Sequence, residues 1–354
     1  MLVLEVVPNM HVGGIQRNLV DRIKYSPFAT GVVALEPSAQ EDIPAFGGFE
    51  IQRPHEHLSL TTATLYLRQA FTDLKPDVVL THTPVTTALV LLMDSRVRPP
   101  TIQVIHRSTA SSRRSLRLVM SAGIAALNSR ALGHIAVSNR AASGALTRRS
   151  PDIRVAHLGA QPKRHKAGQS RESRYRFVAI GRFVRSKNFG ELIRGFARAR
   201  REGCNAISLD IFGYGPLRPM LVREIAKEEC QDTIRIHDGR GKTSPLDFAD
   251  CFVNVSTDEG GPLTLYEALL TGLPAISTRV GAAPDILLHD QDSYLLSRGR
   301  EREIAQAIQM VVANGVLSGD LRSSRQDAFS FLRIEETSRR FYEQLQELMA
   351  RCAG

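Results

Sequence analysis

Short runs of apolar and β-branched residues recur along the chain, separated by stretches whose apolar positions repeat every three to four residues. Residues 2–7, 31–35, 77–81, 101–105, 134–137 and 153–156 are nearly continuous apolar runs, as expected of strands buried on both faces. Residues 15–24 and 60–74 carry the one-sided apolar stripe of a surface helix. Strands alternating with helices predict a parallel sheet with helices on both faces. The pattern stops at residues 161–174, which are polar, basic and aperiodic, and predicts a linker there. It then restarts, with strands at 177–180, 207–212, 233–237, 251–255 and 274–278 and helices at 188–201, 217–229 and 263–271. Helical patterns follow from residue 301 to the end.

The expected organisation is α/β: a doubly wound, Rossmann-like domain over 1–160, the linker, and a second such domain over 175–335. A C-terminal helix over 336–354 would pack back on the first domain. A chain of 354 residues is long enough for two cores of this kind.

Composition narrows the setting. A hydrophobic content of 43% with mixed charge is globular. No apolar run reaches the length of a bilayer span, and the first residues lack the layout of a signal peptide. Cys204, Cys230, Cys251 and Cys352 show no metal-binding spacing, which suits reduced thiols in a cytoplasmic protein. The net charge of +10 is uneven: residues 1–157 carry +6, residues 158–176 carry +5, and the rest −1. Arg107, Arg113, Arg114 and Arg117 precede the apolar stretch 118–127. They form either a solvated face or a docking patch for anionic lipid, which would place the protein at the periphery of the inner membrane's cytoplasmic face. Nucleic acid is disfavoured, because the patch has no interleaved aromatics and the chain has no Trp.

Ligands of doubly wound folds bind beyond the carboxyl ends of the strands, so the strings that follow strands carry the candidate chemistry. Gly13 and Gly14 lie in a turn between the first strand and a helix, where glycines let the backbone approach an anion. Gly181-Arg-Phe-Val-Arg-Ser-Lys-Asn188 places Arg182 and Lys187 before a helix, as cations able to stabilise a leaving diphosphate. Ser256-Thr-Asp-Glu-Gly-Gly-Pro-Leu-Thr-Leu-Tyr-Glu-Ala268 puts Glu259 at a strand end and Glu267 eight residues on, inside a helix. Either carboxylate can accept hydrogen bonds from sugar or ribose hydroxyls.

These strings resemble the family-4 type of retaining glycosyltransferases with the GT-B architecture, in which two Rossmann-like domains face each other across a cleft. The resemblance covers nearly the whole chain. It rests on the Gly13-Gly14 turn, His106 after a first-domain strand, GR-x4-KN from Gly181 to Asn188, and EG-x-PL-x3-EA from Glu259 to Ala268, followed by Gly272-x-Pro274. It implies that Gly13, Gly14, Arg182 and Lys187 hold the diphosphate of a UDP- or GDP-sugar. Glu259 and the amides of Gly260, Gly261, Pro262 and Leu263 would face the sugar, within the limit that Pro262 has no N–H. Glu267 would bind the ribose, and His106 would approach the sugar and a saccharide or lipid-linked acceptor. It implies transfer with retention, assisted by the diphosphate, with no metal or other cofactor, in bacterial envelope or exopolysaccharide synthesis. The competing readings are an epimerase of the same architecture and a non-catalytic nucleotide-sugar-binding subunit.

The chain departs from the family pattern at Gln16, Ala282, Asp285 and Ser293, which bears on the sugar and acceptor more than on the phosphate contacts. Gly239-Arg-Gly-Lys-Thr243 lacks the earlier glycine of a phosphate loop, that position being Ile236. Asp290-Gln-Asp292 reads as a turn, and His55-Glu-His57 as surface residues short of a metal-ligand set.

Overall fold

The computed structural model describes residues 1–10, 14–37, 51–106, 127, 130–143, 152–161, 174–239, 245–287 and 293–351. The chain divides into two compact units, Met1–Gly159 with Ile334–Gly354, and Ala160–Arg333.

The first unit holds seven strands among the described residues: β1 (Leu2–Val7), β2 (Ala29–Ala34), β3 (Ile51–Gln52), β4 (Val78–Thr81), β5 (Thr101–Ile105), β6 (Gly133–Ala136) and β7 (Ile153–Val155). They lie in the order β3-β2-β1-β4-β5-β6-β7, with every pair parallel. The second unit holds β8 (Tyr175–Ile180), β9 (Ile207–Gly213), β10 (Ile234–Asp238), β11 (Cys251–Asn254), β12 (Ala275–Thr278) and β13 (Tyr294–Leu296). Their order is β10-β9-β8-β11-β12-β13, again all parallel.

In each sheet the first strand in sequence sits inside, and chain order reverses on either side of it. Connections from β1 and β4 leave toward opposite faces, as do those from β8 and β11, and this opens a crevice at the carboxyl ends. The apolar runs follow from the layering. Leu4 and Val6 of β1 pack toward Ala63, Leu67 and Phe71 of helix Leu60–Leu74, while Val7 packs with Leu19, Val20 and Ile23 of helix Gly14–Ile23. In the second unit, Phe177, Leu209, Ile211 and Val253 share a core with Leu192, Ile193 and Phe196 of helix Phe189–Arg201 and Ile304 and Ile308 of helix Glu301–Asn314.

Strand and helix positions from the apolar pattern agree with these elements to within about two residues. Among the strands and α-helices of the described residues, five lie outside that pattern: β3, β13 and helices Pro84–Leu91, Asn139–Ser143 and Ala283–Leu287. Four of them have five residues or fewer, too short to show a period. Pro84–Leu91 is buried at six of its eight positions and so has no polar face to mark it; it is instead fixed by Pro84 in its first turn and a Thr83–Thr86 capping box.

Helix Ile334–Ala350 belongs to the first unit. It lies close where side chains are missing: a Cβ on Gly133 would stand 2.8 Å from Leu348, and one on Gly159 would stand 2.6 Å from the Ile334 backbone. Phe341 of this helix lies 3.8 Å, ring centroid to guanidinium carbon, from Arg22. No helix among the described residues is long and apolar enough to cross a membrane. Cys204, Cys230 and Cys251 are free thiols, and Cys352 lies outside the described residues.

His134 in β6 is fully buried, and neither ring nitrogen has a hydrogen-bond partner among the described residues. Burial pushes its pKa down to about 4. The unfolded chain, with an ordinary histidine, therefore takes up the proton first. Stability is full above about pH 6.5 and declines as pH falls toward 4. At pH 5 this site should cost about 2 kcal/mol relative to neutral pH. We expect His134→Leu to reduce the loss of denaturant resistance between pH 7 and pH 5. An unchanged pH dependence would show that His134 is not an acid-sensitive site.

Candidate active site

Two loops flanking the switch point of the second sheet carry the charges. After β8 the chain turns through Gly181 and a single 3-10 turn, Arg185–Lys187, into Asn188, whose φ of 58° is left-handed. Asn188 tolerates that conformation as few non-glycine residues do, and its side-chain amide donates to the Gly299 carbonyl at 3.1 Å. The turn sends the Lys187 side chain back across Gly181, where a Cβ would lie 3.3 Å from Lys187 Cδ and Cε. After β11, on the other side of the switch point, Ser256 leads to Glu259. Lys187 Nζ donates to Glu259 Oε1, and Ser256 Oγ lies 2.8 Å from the same oxygen. Arg182 is exposed on the loop that carries Lys187.

Backbone contacts hold these loops together. Thr257 N–H donates to the Ser186 carbonyl at 2.8 Å, and Ala282 N–H donates to the Gly260 carbonyl at 3.1 Å. Gly281 has a φ of 50°, and a Cβ there would strike the Gly260 carbonyl at 2.1 Å, so glycine is required. Ala282, the family departure, is buried at a position that accommodates its methyl group. Gly260, Gly261 and Pro262 lead into helix Leu263–Leu270, whose amino end faces back along this loop and favours negative charge. Glu267 within that helix is buried, so it is not a solvated surface acid. Beside it the Tyr266 hydroxyl is buried without a hydrogen-bond partner among the described residues, and burial, with Asp285 and Glu259 nearby, pushes its pKa up.

The apolar pattern gave no warning of how closely the neighbouring strand ends pack. A Cβ on Gly213 would stand 1.9 Å from the Gly181 carbonyl, and one on Gly239 would stand 2.8 Å from the Gly213 Cα. Each glycine follows or ends a strand, and that position is the signal that marks them.

In the first unit, His106 directly follows β5 and is buried. Its Nε2 lies 2.8 Å from Nδ1 of His82, which follows β4. His82 Nε2 lies 2.7 Å from Glu5 Oε2, and the other Glu5 oxygen accepts from Arg22 at 2.8 Å. Burial alone would raise the Glu5 pKa, but Arg22 and His82 together hold the carboxyl below its usual range. Glu5 and His82 were missed as functional candidates. The available signal was Glu5 itself, an acid in the middle of an apolar strand, because a carboxylate buried there must be paired.

Gly14 opens helix Gly14–Ile23, and Gln16 donates to the Asn9 carbonyl at 3.1 Å, which a glutamate at that position could not do. Gly13 and the basic residues Arg107, Arg113, Arg114 and Arg117 lie outside the described residues, as do Asp290 to Asp292 and Arg240 to Thr243. His55, Glu56 and His57 are exposed. Among the described residues no group of three or more His, Cys, Asp or Glu side chains is placed to hold a metal ion.

Residues 174–314 match the family model described as Glycosyl transferases group 1. The amylovoran biosynthesis glycosyltransferase AmsK of Erwinia amylovora is 25% identical over 212 residues, covering 57% of this chain and 51% of that protein. The chain spans about half or less of the length of the curated relatives it matches. Among solved structures, HepE of Anabaena, determined in complex with UDP, is similar at a TM-score of 0.80 and 16% identity, covering 98% of this chain and all of that one. The apo lipopolysaccharide outer core galactosyltransferase WaaB is similar at a TM-score of 0.75 and 15% identity, covering 98% and 99%. The fold is of the GT-B type, with two parallel-sheet α/β domains.

The two ion pairs should differ sharply in what they contribute to folding. Lys187 and Glu259 keep 21% and 15% of their side chains exposed, so solvent still reaches either charge when its partner is removed. Arg22 and Glu5 keep 6% and 0%, so removing the acid strands a buried cation at a cost of about 3–5 kcal/mol. Glu259→Ala should therefore lower the denaturant midpoint less than Glu5→Ala does. Equal losses in the two variants would contradict this division.

Proposed function

We propose that this protein is a retaining glycosyltransferase that moves a sugar from a UDP- or GDP-sugar to a saccharide or lipid-linked acceptor, in bacterial envelope or exopolysaccharide synthesis. The observation that carries this proposal is the meeting of Lys187 and Glu259 at the switch point of the second unit, within the residues that match the family model. Support for the setting comes from AmsK, whose name places it in amylovoran biosynthesis, and from HepE, whose structure holds UDP.

The donor diphosphate takes Lys187 away from Glu259, and Lys187 and Arg182 together carry its charge. No divalent metal is needed in this scheme. Glu259, released from Lys187 but still beside Ser256, becomes an acceptor for hydroxyls of the sugar. Glu267 accepts from the ribose, and the amino end of helix Leu263–Leu270 adds a favourable potential for the diphosphate. Gly13 and Gly14 are assigned to the phosphates, and His106 to the sugar, on the family resemblance alone. In the chemical step the bond between the anomeric carbon and the phosphate oxygen breaks. The acceptor oxygen bonds to that carbon on the same face, and its proton passes to the departing diphosphate. Arg107, Arg113, Arg114 and Arg117 dock the protein on anionic lipid, which brings a membrane-borne acceptor within reach.

Transfer from a panel of nucleotide sugars to lipid-linked acceptors, followed by NMR of the product's anomeric proton, tests the proposal. The product should keep the donor's anomeric configuration, and turnover should survive a chelator. Glu267→Ala should weaken binding of the free nucleotide by about ten-fold or more, as one charge-assisted hydrogen bond is worth about 1.5–3 kcal/mol. Glu259→Ala should spare nucleotide binding and reduce transfer. Inversion, a metal requirement restored by added cation, or equal loss of nucleotide affinity in both variants would each refute the corresponding part.

A further inference from the structure

The chain from Arg22 through Glu5 and His82 to His106 lies within one unit, and every member is at least nine-tenths buried. It joins helix Gly14–Ile23, β1 and the residues that follow β4 and β5. Its hydrogen-bond directions can be worked out from its fixed end. Arg22 only donates, and ionised Glu5 only accepts. His82 Nε2 must therefore carry a hydrogen. If His82 is neutral, its Nδ1 is a lone pair and accepts the Nε2–H of His106. A doubly protonated His82 would instead place a second cation beside Arg22 against, among the described residues, the single carboxylate of Glu5. The neutral arrangement leaves His106 Nδ1 as a lone pair, and that nitrogen has no hydrogen-bond partner among the described residues. The His82 and His106 rings lie edge to edge, with centroids 5.1 Å apart and planes 25° from parallel, as a hydrogen bond between in-plane ring nitrogens requires.

We propose that Glu5 and His82 are positioning residues that hold His106 as its neutral Nε2–H tautomer, so that His106 Nδ1 is a fixed acceptor for a hydroxyl of the sugar substrate. The assignment of the hydroxyl rests on the glycosyltransferase proposal; the tautomer does not. Neutrality has a second support. Burial lowers the pKa of His106 well below the usual histidine range, and the fixed charge of Arg22 acts in the same direction. His106 is 9% exposed and its Nδ1 is buried, so a ligand-dependent signal from that nitrogen is the direct report of a hydroxyl reaching it.

The test is NMR of the full chain labelled with nitrogen-15 histidine, using two-bond correlations that separate protonated from unprotonated ring nitrogens. The His106 signals are identified by their loss in His106→Gln. We expect Nε2 protonated and Nδ1 unprotonated at pH 7, unchanged at pH 6, and an Nδ1 shift on adding the nucleotide sugar that transfer assays select. We also expect His82→Ala to lower kcat by about ten-fold or more without changing the affinity for nucleoside diphosphate. His82→Asn, whose amide oxygen can stand where Nδ1 stood, should recover most of that loss. A wild-type spectrum with Nδ1 protonated overturns the tautomer whatever the variants do, including a His82→Ala protein that fails to fold. Equal impairment of the alanine and asparagine variants, or no Nδ1 shift with a nucleotide sugar that is turned over, overturns the acceptor role. If no nucleotide sugar is turned over but the tautomer is as stated, the glycosyltransferase proposal fails and the positioning by Glu5 and His82 stands.

Discussion

Parallel pairing is the constraint on which the rest of the molecule depends. When every strand in a sheet runs the same way, all carboxyl ends meet at one edge, and each connection must cross a face of the sheet as it returns. Both faces are then covered, and charged groups have little room elsewhere in the layers. In this chain the charges gather where the chain order reverses. Lys187 after β8 meets Glu259 after β11 in one sheet, and Glu5 of β1 meets His82 after β4 in the other. The glycines at these edges answer the same constraint, since Gly181, Gly213 and Gly281 let backbones approach where a methyl group would collide or crowd a neighbour.

The two charged sites are built to different ends. Arg22, Glu5, His82 and His106 are enclosed, and each bond fixes the direction of the next. Helix Ile334–Ala350 closes over the cationic end of this chain with Phe341. A network of that kind resists change, because a broken link leaves a buried charge or polar atom unmet. Lys187 and Glu259 are partly exposed, on loops stapled by backbone hydrogen bonds from Thr257 and Ala282. Solvent reaches this pair, and in the proposed scheme an anion replaces Glu259 as the partner of Lys187.

Much of this was legible in the sequence, for physical reasons. Strands buried on both faces must be apolar nearly throughout, so β1, β5 and β11 stood out, and the long amphipathic helices announced themselves by period. The strings around Lys187 and Glu259 stand out because each directly follows an apolar strand, and the structure brings those two side chains into contact. Contacts between residues far apart in sequence were not legible. Nothing local to His82 shows that it bridges Glu5 and His106, because the register of β1, β4 and β5 creates that proximity. The short elements β3 and β13 carry too few residues for any pattern. Gly13 and the arginines from Arg107 to Arg117 lie outside the described residues, and their roles rest on sequence alone.

The central claim is that cationic side chains of the second unit, rather than a metal ion, hold the diphosphate of a nucleotide-sugar donor. Calorimetric titration of the full chain with UDP, GDP and ADP, each in chelator, tests it most directly, with Lys187→Ala run in parallel. At least one nucleoside diphosphate should bind saturably in chelator, and about ten-fold or more weakly to the variant. Binding that appears only with a divalent cation, or that is indifferent to Lys187, would contradict it.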